Sequence, residues 1–333
     1  MALRSILVIG CGSIGERHVR TFLKTGRARV TACDTQPALL QRLAETYQMP
    51  TTTDWQAALS AGADAVVICT PAHLHVRMAR QALAAGCHVL VEKPLSQSLE
   101  GVAELIQERD RSGRAVAVAY VLHVYEVLAQ AREFLRRGEF GPVQQATVVT
   151  GQAFPVFRPA YAQTYYRDRR TGGGAIQDAL THSVNWVESV IGPADSVLCD
   201  CAHLVLPDVE VEDTVHVASR HGSALASFAL NQFQAPNETT LQFNSALGSV
   251  RIEAHRPRWG TWAAGASCWT WHDLPPVERD APFITQAQEF LDQIEGGPVR
   301  LCTLEAAAQT LRFNLAALAS AASGTRVACA TLQ

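Results

Sequence analysis

Hydrophobic and polar positions follow two different rhythms along the chain. Up to about residue 120, short continuous apolar runs alternate with amphipathic stretches of helical spacing near residues 14–25, 37–48, 73–85 and 97–112. The apolar runs are Ser5–Ile9, Arg29–Cys33, Ala65–Cys69, His88–Val91 and Ala115–Ala119. Continuous apolar strands in alternation with helices are typical of a parallel sheet covered on both faces. We therefore expect a doubly wound α/β domain over residues 1–121.

After Pro142 the apolar positions alternate with polar ones, with the period of two that indicates strands with one solvated face. These predicted strands are Val143–Gly151, Ser196–Leu206, Thr214–Arg220, Ala224–Phe233, Thr239–Ser245 and Ser249–His255. Helices are predicted near residues 125–138, 174–191, 281–295 and 303–322. The pattern predicts an α+β domain over residues 122–333, built on an open, mainly antiparallel sheet.

Composition narrows the possible partners. Of the 333 residues, 48% are hydrophobic and 18% are charged, which is typical of a globular protein, and the net charge of −3 provides no broad basic surface for nucleic acid or an anionic membrane. No apolar run has membrane-spanning length, and no secretory signal pattern is present. We expect a cytoplasmic protein with free thiols, whose partners are small molecules and copies of itself.

Three glycines follow the first predicted strand, in the sequence Gly10-Cys-Gly12-Ser13-Ile14-Gly15. Gly10 suits a tight turn, Gly12 would let the backbone approach a pyrophosphate, and Gly15 would allow close packing of helix on strand. The anion would bind the free N–H groups at the helix N-terminus, to which Ser13 and Ile14 belong. This pattern alone is weak evidence, because glycine turns are common.

Asp34, at the end of the second predicted strand, strengthens the prediction of a dinucleotide site. An acidic residue at this distance from the glycines accepts hydrogen bonds from the adenosine ribose. Its carboxylate would repel a 2′-phosphate, and Thr35 and Gln36 offer no cation to neutralise one. NAD is therefore favoured over NADP. The alternative is that Asp34 serves only as a helix cap or turn residue.

Further chemistry-bearing residues follow later strands, at the edge where open α/β sheets hold their ligands. They are Thr70-Pro71 with His73 and His75, then Glu92-Lys93-Pro94, and in the second half Gly172-Gly-Gly-Ala-Ile-Gln-Asp178-Ala-Leu-Thr-His182. With the glycine loop, these elements resemble the Gfo/Idh/MocA family of oxidoreductases, in the family's order and over nearly the whole chain.

The resemblance implies an N-terminal Rossmann domain, followed by an α+β domain with a large, mainly antiparallel sheet through which the family forms dimers or tetramers. It implies hydride transfer between a nicotinamide cofactor and a sugar, cyclitol or glycoside. By position, Lys93 would contact the cofactor and the reacting oxygen. Glu92 would hold the strand end or the nicotinamide-side ribose. We expect His182 to act as general base and Asp178 to orient the substrate.

The same residues also have structural interpretations. Asp178 and His182 are four apart and share one face of a predicted helix, which an ordinary surface pair would also do. Lys93 could be a solvated lysine at a strand end. His73 and His75 lack further ligands at usable spacing, so we expect no metal site, and assign Thr70, Pro71 and His75 to the cofactor side.

Three segments leave alternatives open. Asn185 stands where the family often has aspartate, and His123 where it often has arginine; both are assigned provisionally to the substrate. Arg158 and Tyr165 belong to an aromatic and arginine-rich segment, residues 154–170, that suits either a carbohydrate pocket or a subunit interface. For Trp259, Trp262, Trp269 and Trp271 a place in the core or at an interface is favoured.

Three rival functions fit the same pattern. One is an NAD-dependent glycosidase of the same fold, which oxidises its substrate only transiently. Another is a cofactor-sensing regulator without turnover, which the joint presence of Lys93, Asp178 and His182 disfavours. The third is a dehydrogenase of aromatic diols. The specific substrate, the direction of the reaction and the pathway are not encoded in any of these motifs.

Overall fold

The computed structural model describes residues 3–331, which form two compact units. The first unit runs to Val121 and also contains Glu278–Ala308, whereas the second contains Leu122–Val277 and the residues from Gln309 onward. The predicted domain boundary after residue 121 lies where the chain first passes from the first unit to the second. The sequence expectation differs for residues 278–308, which it assigned to the second domain.

The first unit is built on a six-stranded parallel sheet in the order β3-β2-β1-β4-β5-β6. Its strands are β1 Arg4–Ile9, β2 Ala28–Cys33, β3 Thr51–Thr52, β4 Ala65–Ile68, β5 His88–Val91 and β6 Val116–Val118. Its helices are α1 Ser13–Lys24, α2 Pro37–Tyr47, α3 Trp55–Ser60, α4 His75–Ala84, α5 Val102–Ser112 and α9 Ala281–Ile294. A 3₁₀ turn, Ala72–Leu74, precedes α4.

Continuous burial explains this sheet. All four residues of β4 are fully buried, as expected for a central strand with helices on both faces. Helix α9 returns to this unit because its aromatic side chains pack on α1: Phe283 lies edge-on to His18, and Phe290 edge-on to Phe22. Arg20 of α1 also forms a two-pronged ion pair with Asp280, immediately before α9.

The second unit is built on a nine-stranded sheet in the order β14-β13-β12-β11-β7-β10-β9-β8-β15. Neighbours are antiparallel except β7 and β10, which are parallel. The strands are β7 Val143–Gly151, β8 Ser196–Ala202, β9 Thr214–His221, β10 Ala224–Asn231, β11 Glu238–Ser245, β12 Gly248–Glu253, β13 Arg258–Ala263, β14 Thr270–Asp273 and β15 Val327–Ala328.

Helices cover one face of this sheet. They are α6 Glu126–Arg137, α8 Thr181–Ile191 and α10 Leu304–Ser323, whose first five residues belong to the first unit. The second unit also contains the short helix α7, Phe154–Phe157, whose Phe154 packs in a separate apolar cluster. The core is formed by side chains that alternate along the strands, such as Val217 and Phe228, and by helical residues such as Trp186 and Phe313. The intervening side chains of each strand point away from this core, to the other face of the sheet. Two of them, Leu198 and Leu225, are 41% and 48% exposed.

The fold class predicted from the sequence is confirmed, and the differences are local. β3, α3, β13, β14 and β15 were not predicted, because they are short or lack a regular apolar alternation. β8 ends at Ala202 rather than Leu206, because the Asp213 carboxylate accepts the backbone N–H groups of residues 204–206 and turns the chain there. Among residues 3–331, no helix combines the length and apolar character needed to cross a membrane.

Candidate active site

The turn after β1 has the geometry of a dinucleotide loop. Gly10 has φ +85°, and a Cβ there would lie 2.7 Å from the Cys69 carbonyl oxygen. A Cβ on Gly15 would lie 1.8 Å from the Gly10 oxygen, so helix and strand pack at glycine distance. A Cβ on Gly12 would meet nothing within 4 Å. The two outer glycines thus serve the fold, whereas Gly12 borders open space.

The open space lies at the N-terminus of α1. Gly12 is the N-cap of this helix, no side chain caps it, and the next residue, Ser13, is exposed. N–H groups in the first turn of a helix, together with its dipole, form a site for an anion. The residues present therefore fit the pyrophosphate of a dinucleotide, with Ser13 and Ile14 supplying the first backbone groups.

Asp34 lies at the end of β2 and organises this loop. Its Oδ2 accepts a hydrogen bond from the Cys11 backbone N–H at 2.7 Å, and its Oδ1 accepts from the Gln36 N–H at 3.0 Å. The carboxylate therefore does serve as a turn residue, as the structural alternative held. It also remains half-buried beside the glycine loop, where a ribose hydroxyl can donate to its other lone pairs. Burial, followed by the charge of Asp34, raises the pKa of the Cys11 thiol to about 12.

His75, which the sequence assigned to the cofactor side, is held between two loops. Its Nε2 lies 2.7 Å from the Thr70 carbonyl oxygen and its Nδ1 3.0 Å from the Pro94 carbonyl oxygen, and the ring is 1% exposed. The ring thus lies between the loop after β4 and the loop after β5, and a neutral imidazole, which has one N–H, donates to one of the two carbonyls. Burial lowers the pKa of this imidazole. These contacts position the two loops, and a contact between His75 and the cofactor stays a prediction.

A buried imidazole–carboxylate pair links α1 to the end of β5. Nε2 of His18 lies 2.7 Å from Oε1 of Glu92, and both side chains are buried. Oε2 of Glu92 accepts the backbone N–H of Lys93 at 3.0 Å. Glu92 therefore holds the strand end, one of the two roles expected of it, and presents Lys93, whose side chain is half-buried.

In the second unit, Asp178 lies in a π-helical turn, Ile176–Leu180, that leads directly into α8. Its side chain is fully buried; Oδ1 accepts the Tyr165 hydroxyl at 2.5 Å and Oδ2 accepts Nη1 of Arg158 at 3.1 Å. The carboxylate also holds the pKa of the Arg158 guanidinium above its usual value. Single π turns occur frequently at functional sites. His182 is half-buried in the first turn of α8.

The segment over residues 154–170 thus brings two side chains to Asp178. It is held by a small apolar cluster separate from the main core, formed by Phe154, Tyr161, Ala162, Tyr166, Leu206, Val209 and Val211. Between the two interpretations of this segment, a pocket or an interface arm, these contacts favour the pocket for Arg158 and Tyr165. Val156 and Phe157, on the same segment, are 72% and 50% exposed.

Glu212 supports the glycine run before Asp178 and was missed by the sequence analysis. Its Oε1 accepts the Ile176 N–H at 3.1 Å, its main-chain oxygen accepts the Ala175 N–H at 2.9 Å, and Arg169 donates to Oε2 at 2.7 Å. A Cβ on Gly174 would lie 2.5 Å from this carboxylate. Burial raises the pKa of Glu212. The third glycine of the run is therefore required by its positive φ of +96° and by the adjacent carboxylate.

His123 and Asn185, which the sequence assigned to the substrate, bind each other in the second unit, and their contact with a substrate stays a prediction. Nε2 of His123 lies 2.7 Å from Oδ1 of Asn185, and its Nδ1 accepts Nη1 of Arg132 at 2.7 Å. Asn185, in turn, donates from Nδ2 to the Thr310 hydroxyl at 2.9 Å. Burial and the Arg132 charge lower the pKa of His123 to about 4, so the ring is neutral. Both residues serve the interior of the second unit.

Sequence reasoning also missed His18, although a signal for it exists. It lies three residues after Gly15 on the buried face of α1, where an apolar residue is the ordinary choice. A buried polar residue beside a ligand loop needs a partner, and Glu92 is that partner. Glu212 offered no comparable signal, because it stands in an acidic stretch of loop far along the chain. Within residues 3–331, no group of three or more His, Cys, Asp or Glu side chains could hold a metal ion.

Two family models match the chain. The model described as "Oxidoreductase family, NAD-binding Rossmann fold" matches residues 4–120, and the "GFO/IDH/MocA C-terminal domain" model matches residues 128–251. The matches coincide with the first parallel sheet and with most of the second unit. The resemblance inferred from the motifs is confirmed by both.

Among curated proteins, the chain is 24% identical over 299 residues to an inositol 2-dehydrogenase of Rhizobium meliloti (strain 1021), covering 87% of this chain and 88% of the relative. It is 28% identical over 171 residues to an uncharacterized oxidoreductase of Synechocystis sp., covering 50% of this chain and 45% of that protein. Alignments with two further oxidoreductases, of Rhizobium meliloti and Bacillus subtilis, cover 33% and 53% of those relatives. The chain thus spans about half or less of the length of several curated relatives.

Solved structures share the fold over its full extent. Levoglucosan dehydrogenase in complex with NADH and levoglucosan superposes with a TM-score of 0.87 at 20% sequence identity, covering 99% of this chain and 100% of that chain. GenD2 from gentamicin A biosynthesis, in complex with NAD, superposes with a TM-score of 0.83 at 23% identity, covering 98% and 97%. At this identity the likeness establishes the fold.

Proposed function

The chain belongs to the Gfo/Idh/MocA family of NAD-binding oxidoreductases, and from that premise we propose that it is an NAD-dependent dehydrogenase or reductase acting on a CH–OH group. Its substrate class is a sugar, cyclitol or glycoside. The names of two curated relatives, an inositol 2-dehydrogenase and a D-glucoside 3-dehydrogenase, support this class. We further propose that the protein works in the cytoplasm, as a dimer or tetramer assembled through its nine-stranded sheet.

One observation carries the proposal in particular. The buried Asp178 carboxylate already accepts a hydroxyl, that of Tyr165, on one oxygen and a guanidinium on the other. A carboxylate in this setting can accept a substrate hydroxyl with the same geometry. Its nearest ionisable neighbour in the sequence is His182, four residues later, and a histidine changes its protonation state near neutral pH.

We assign the roles as follows. His182 accepts the proton of the reacting hydroxyl in the oxidation direction and returns it in reduction. Asp178 orients the substrate by accepting a neighbouring hydroxyl, with Arg158 and Tyr165 holding the carboxylate. The Lys93 ammonium stabilises the developing negative charge on the reacting oxygen.

The cofactor half of the proposal rests on the first unit. Gly10, Gly12 and Gly15 would admit the pyrophosphate, with the backbone of Ser13 and Ile14 at the helix N-terminus, and Asp34 would accept the adenosine ribose hydroxyls. Thr70, Pro71 and Glu92 would border the nicotinamide-side ribose. When bound, NAD supplies the hydride acceptor; the protein supplies orientation and electrostatic stabilisation.

The decisive test is a substrate panel. Purified protein is incubated with NAD and with polyols of each class: myo-inositol, glucose, glucosides, anhydrosugars and a dihydroxycyclohexadiene. NADH formation at its absorbance band, together with product analysis, reports the reaction. We expect NADH with at least one sugar or cyclitol. Release of free sugar from a glycoside without net NADH would identify the glycosidase alternative, and NADH with the diene alone would identify the aromatic-diol alternative.

Two variants test the catalytic assignment on the best substrate of the panel. Lys93→Ala and His182→Ala should each lower kcat by at least about a hundredfold, because general acid–base groups contribute roughly that factor or more. NAD binding by His182→Ala, measured by calorimetry, should equal that of the wild type, because the predicted cofactor residues lie elsewhere. Wild-type turnover in both variants would contradict the assignment.

A further inference from the structure

A buried row of polar side chains joins α8 to α10. On α8 it contains Thr181, Asn185 and Glu188, whose spacing of four and three residues places them on one helical face. On α10 it contains Thr310 and Asn314, also four apart. Thr181, Asn185, Thr310 and Asn314 are each 2% exposed or less. We call these five residues the α8–α10 polar zipper.

The contacts pair the two helices in one antiparallel register. Nδ2 of Asn314 donates to the Thr181 hydroxyl at 2.9 Å, and Nδ2 of Asn185 donates to the Thr310 hydroxyl at 2.9 Å. The Thr310 hydroxyl donates to Oε2 of Glu188 at 2.8 Å. Because hydrogen bonds weaken steeply with misalignment, shifting α8 along or around its axis would break them together.

Arg132, at the end of this hydrogen-bond network opposite Glu188, determines which group is the donor in each bond. A guanidinium has no acceptor, so Arg132 must donate to Nδ1 of His123, which leaves the ring proton on Nε2. That proton is donated to Oδ1 of Asn185, the Asn185 amide then donates to the Thr310 hydroxyl, and this hydroxyl donates to Glu188. From the Arg132 guanidinium to the Glu188 carboxyl, each group therefore donates a hydrogen bond to the next. An amide in the middle of the row does not pass protons readily, so the row orients groups rather than conducting protons.

Apolar packing alone would not fix the position of α8 along and around its axis. Val184, Trp186 and Val187 of α8 lie in the core, where contacts are non-directional and tolerate small shifts. The catalytic candidates lie at the N-terminal end of the helix: Asp178 in the π turn and His182 in the first α-helical turn, next to Thr181. Reacting groups must be placed to within about 1 Å, since a misplacement of that size can cost roughly a hundredfold in rate.

We propose that Asn185 and Thr310 are positioning residues for the reaction: they lock α8 to α10 in one register and thereby hold His182 in its reactive orientation. The inference rests on the proposed function for its catalytic consequence. The locked register itself is a property of the second unit alone and can be measured without a substrate.

The test compares Thr310→Val, which removes the hydroxyl at nearly constant shape, with Thr310→Ser, which keeps it. Ser320→Ala is the matched control, because Ser320 lies on the same helix and bonds to the Cys199 N–H and the Thr325 carbonyl instead. Two quantities are measured: hydrogen–deuterium exchange over residues 178–190, and kcat with KM for NAD on the panel substrate. Should Thr310→Val not be recovered folded, Asn185→Asp replaces it, since that change removes the amide donor at constant size.

We expect Thr310→Val to speed exchange over residues 178–190 and to lower kcat between about tenfold and a hundredfold, with KM for NAD unchanged. Thr310→Ser should restore both quantities, and Ser320→Ala should leave them near wild type. Wild-type exchange and kcat in Thr310→Val, or equal losses in Ser320→Ala, would overturn the inference. If the wild type turns over no panel substrate, the proposed function fails, and the exchange pattern still decides whether the zipper locks α8.

Discussion

Each glycine of the turn after β1 is required for a different physical reason. Gly10 is required by a positive φ and a nearby carbonyl, and Gly15 by the approach of helix to strand. Gly12 has φ −61°, which any residue can adopt, and open space where its Cβ would lie. The fold therefore requires two of the three, and only a ligand would require the third. This difference allows cofactor binding to be separated from folding by single substitutions.

We expect Gly12→Ala to weaken NAD binding by at least about tenfold, or 1.4 kcal/mol, because the methyl group would occupy the space facing the helix N-terminus. Its free energy of unfolding should change by less than about 1 kcal/mol, the scale of an N-cap substitution. Gly15→Ala should instead destabilise the free protein by about 3 kcal/mol, through overpacking against the Gly10 carbonyl. Calorimetric NAD titrations and denaturant unfolding of the cofactor-free protein measure the two effects.

The outcome that would contradict this interpretation is wild-type NAD affinity in Gly12→Ala. Equal destabilisation in both variants would mean that Gly12, too, is required by the fold. At the residue scale, the sequence predicted the turn geometry of Gly10 and Gly15, because a positive φ and close helix–strand packing are local backbone requirements. The contacts of Gly12 and Asp34 with NAD stay predictions. The sequence could not predict the hydrogen-bond partners of His123 and Asn185, because Arg132 and Thr310 come from other helices and no local pattern identifies them.

At the scale of elements, the helix predicted near residues 174–191 consists of two parts with different geometry. The π turn Ile176–Leu180 carries Asp178, and the α-helix from Thr181 carries His182. The apolar stripe predicts a helix in either case, so the sequence could not distinguish them. The Ile176 N–H is held by Glu212, some 36 residues away, and tertiary contacts of this range are invisible to periodicity.

Glu188 in α8 makes the free energy of unfolding depend on pH. Burial raises its pKa to about 7, from an ordinary value of about 4.3. Between these two values the folded protein binds more protons than the unfolded chain, so the free energy of unfolding falls as pH rises through this window. We expect Glu188→Gln to flatten that fall, because the amide keeps an acceptor for Thr310 but does not ionise.

The measurement is denaturant unfolding of wild type and Glu188→Gln at pH 5, 6, 7 and 8, at constant ionic strength. The difference in stability between the two proteins should shift in favour of the variant as pH rises toward 8. Parallel curves across this range would show that Glu188 ionises with an ordinary pKa. His123, whose pKa is lowered to about 4, stays neutral in the folded protein but is protonated in the unfolded chain below about pH 6.5. Both proteins contain it, so its contribution cancels in the difference between them.

At the scale of the whole molecule, the rhythm of the sequence predicted both sheets but not the path of the chain between the two units. The return of residues 278–308 to the first unit depends on Phe283, Phe290 and Asp280 finding partners on α1. An amphipathic helix reveals that it has an apolar face, but not which surface covers it. Sequence order alone therefore assigned α9 to the second unit, whereas it belongs to the first.

The outer face of the nine-stranded sheet supports the proposed assembly. On this face, Leu198 of β8 is paired with Ala218 of β9, which is paired with Ser227 of β10. Leu198 and Leu225 expose 41% and 48% of their surface, and no helix of the second unit's core covers this side among the described residues. Exposed apolar residues on an ordered sheet are typical of an interface between subunits.

Ala218→Arg should therefore convert the assembled protein to monomers, because it would place an uncompensated charge within the proposed interface. Light scattering coupled to size-exclusion chromatography gives the mass, and circular dichroism checks that the fold is kept. Gln107→Arg, an exposed position on α5 of the first unit, adds the same charge away from the sheet and should keep the wild-type mass. An unchanged mass in Ala218→Arg would place the interface elsewhere, and a monomeric wild type would refute assembly through the sheet altogether.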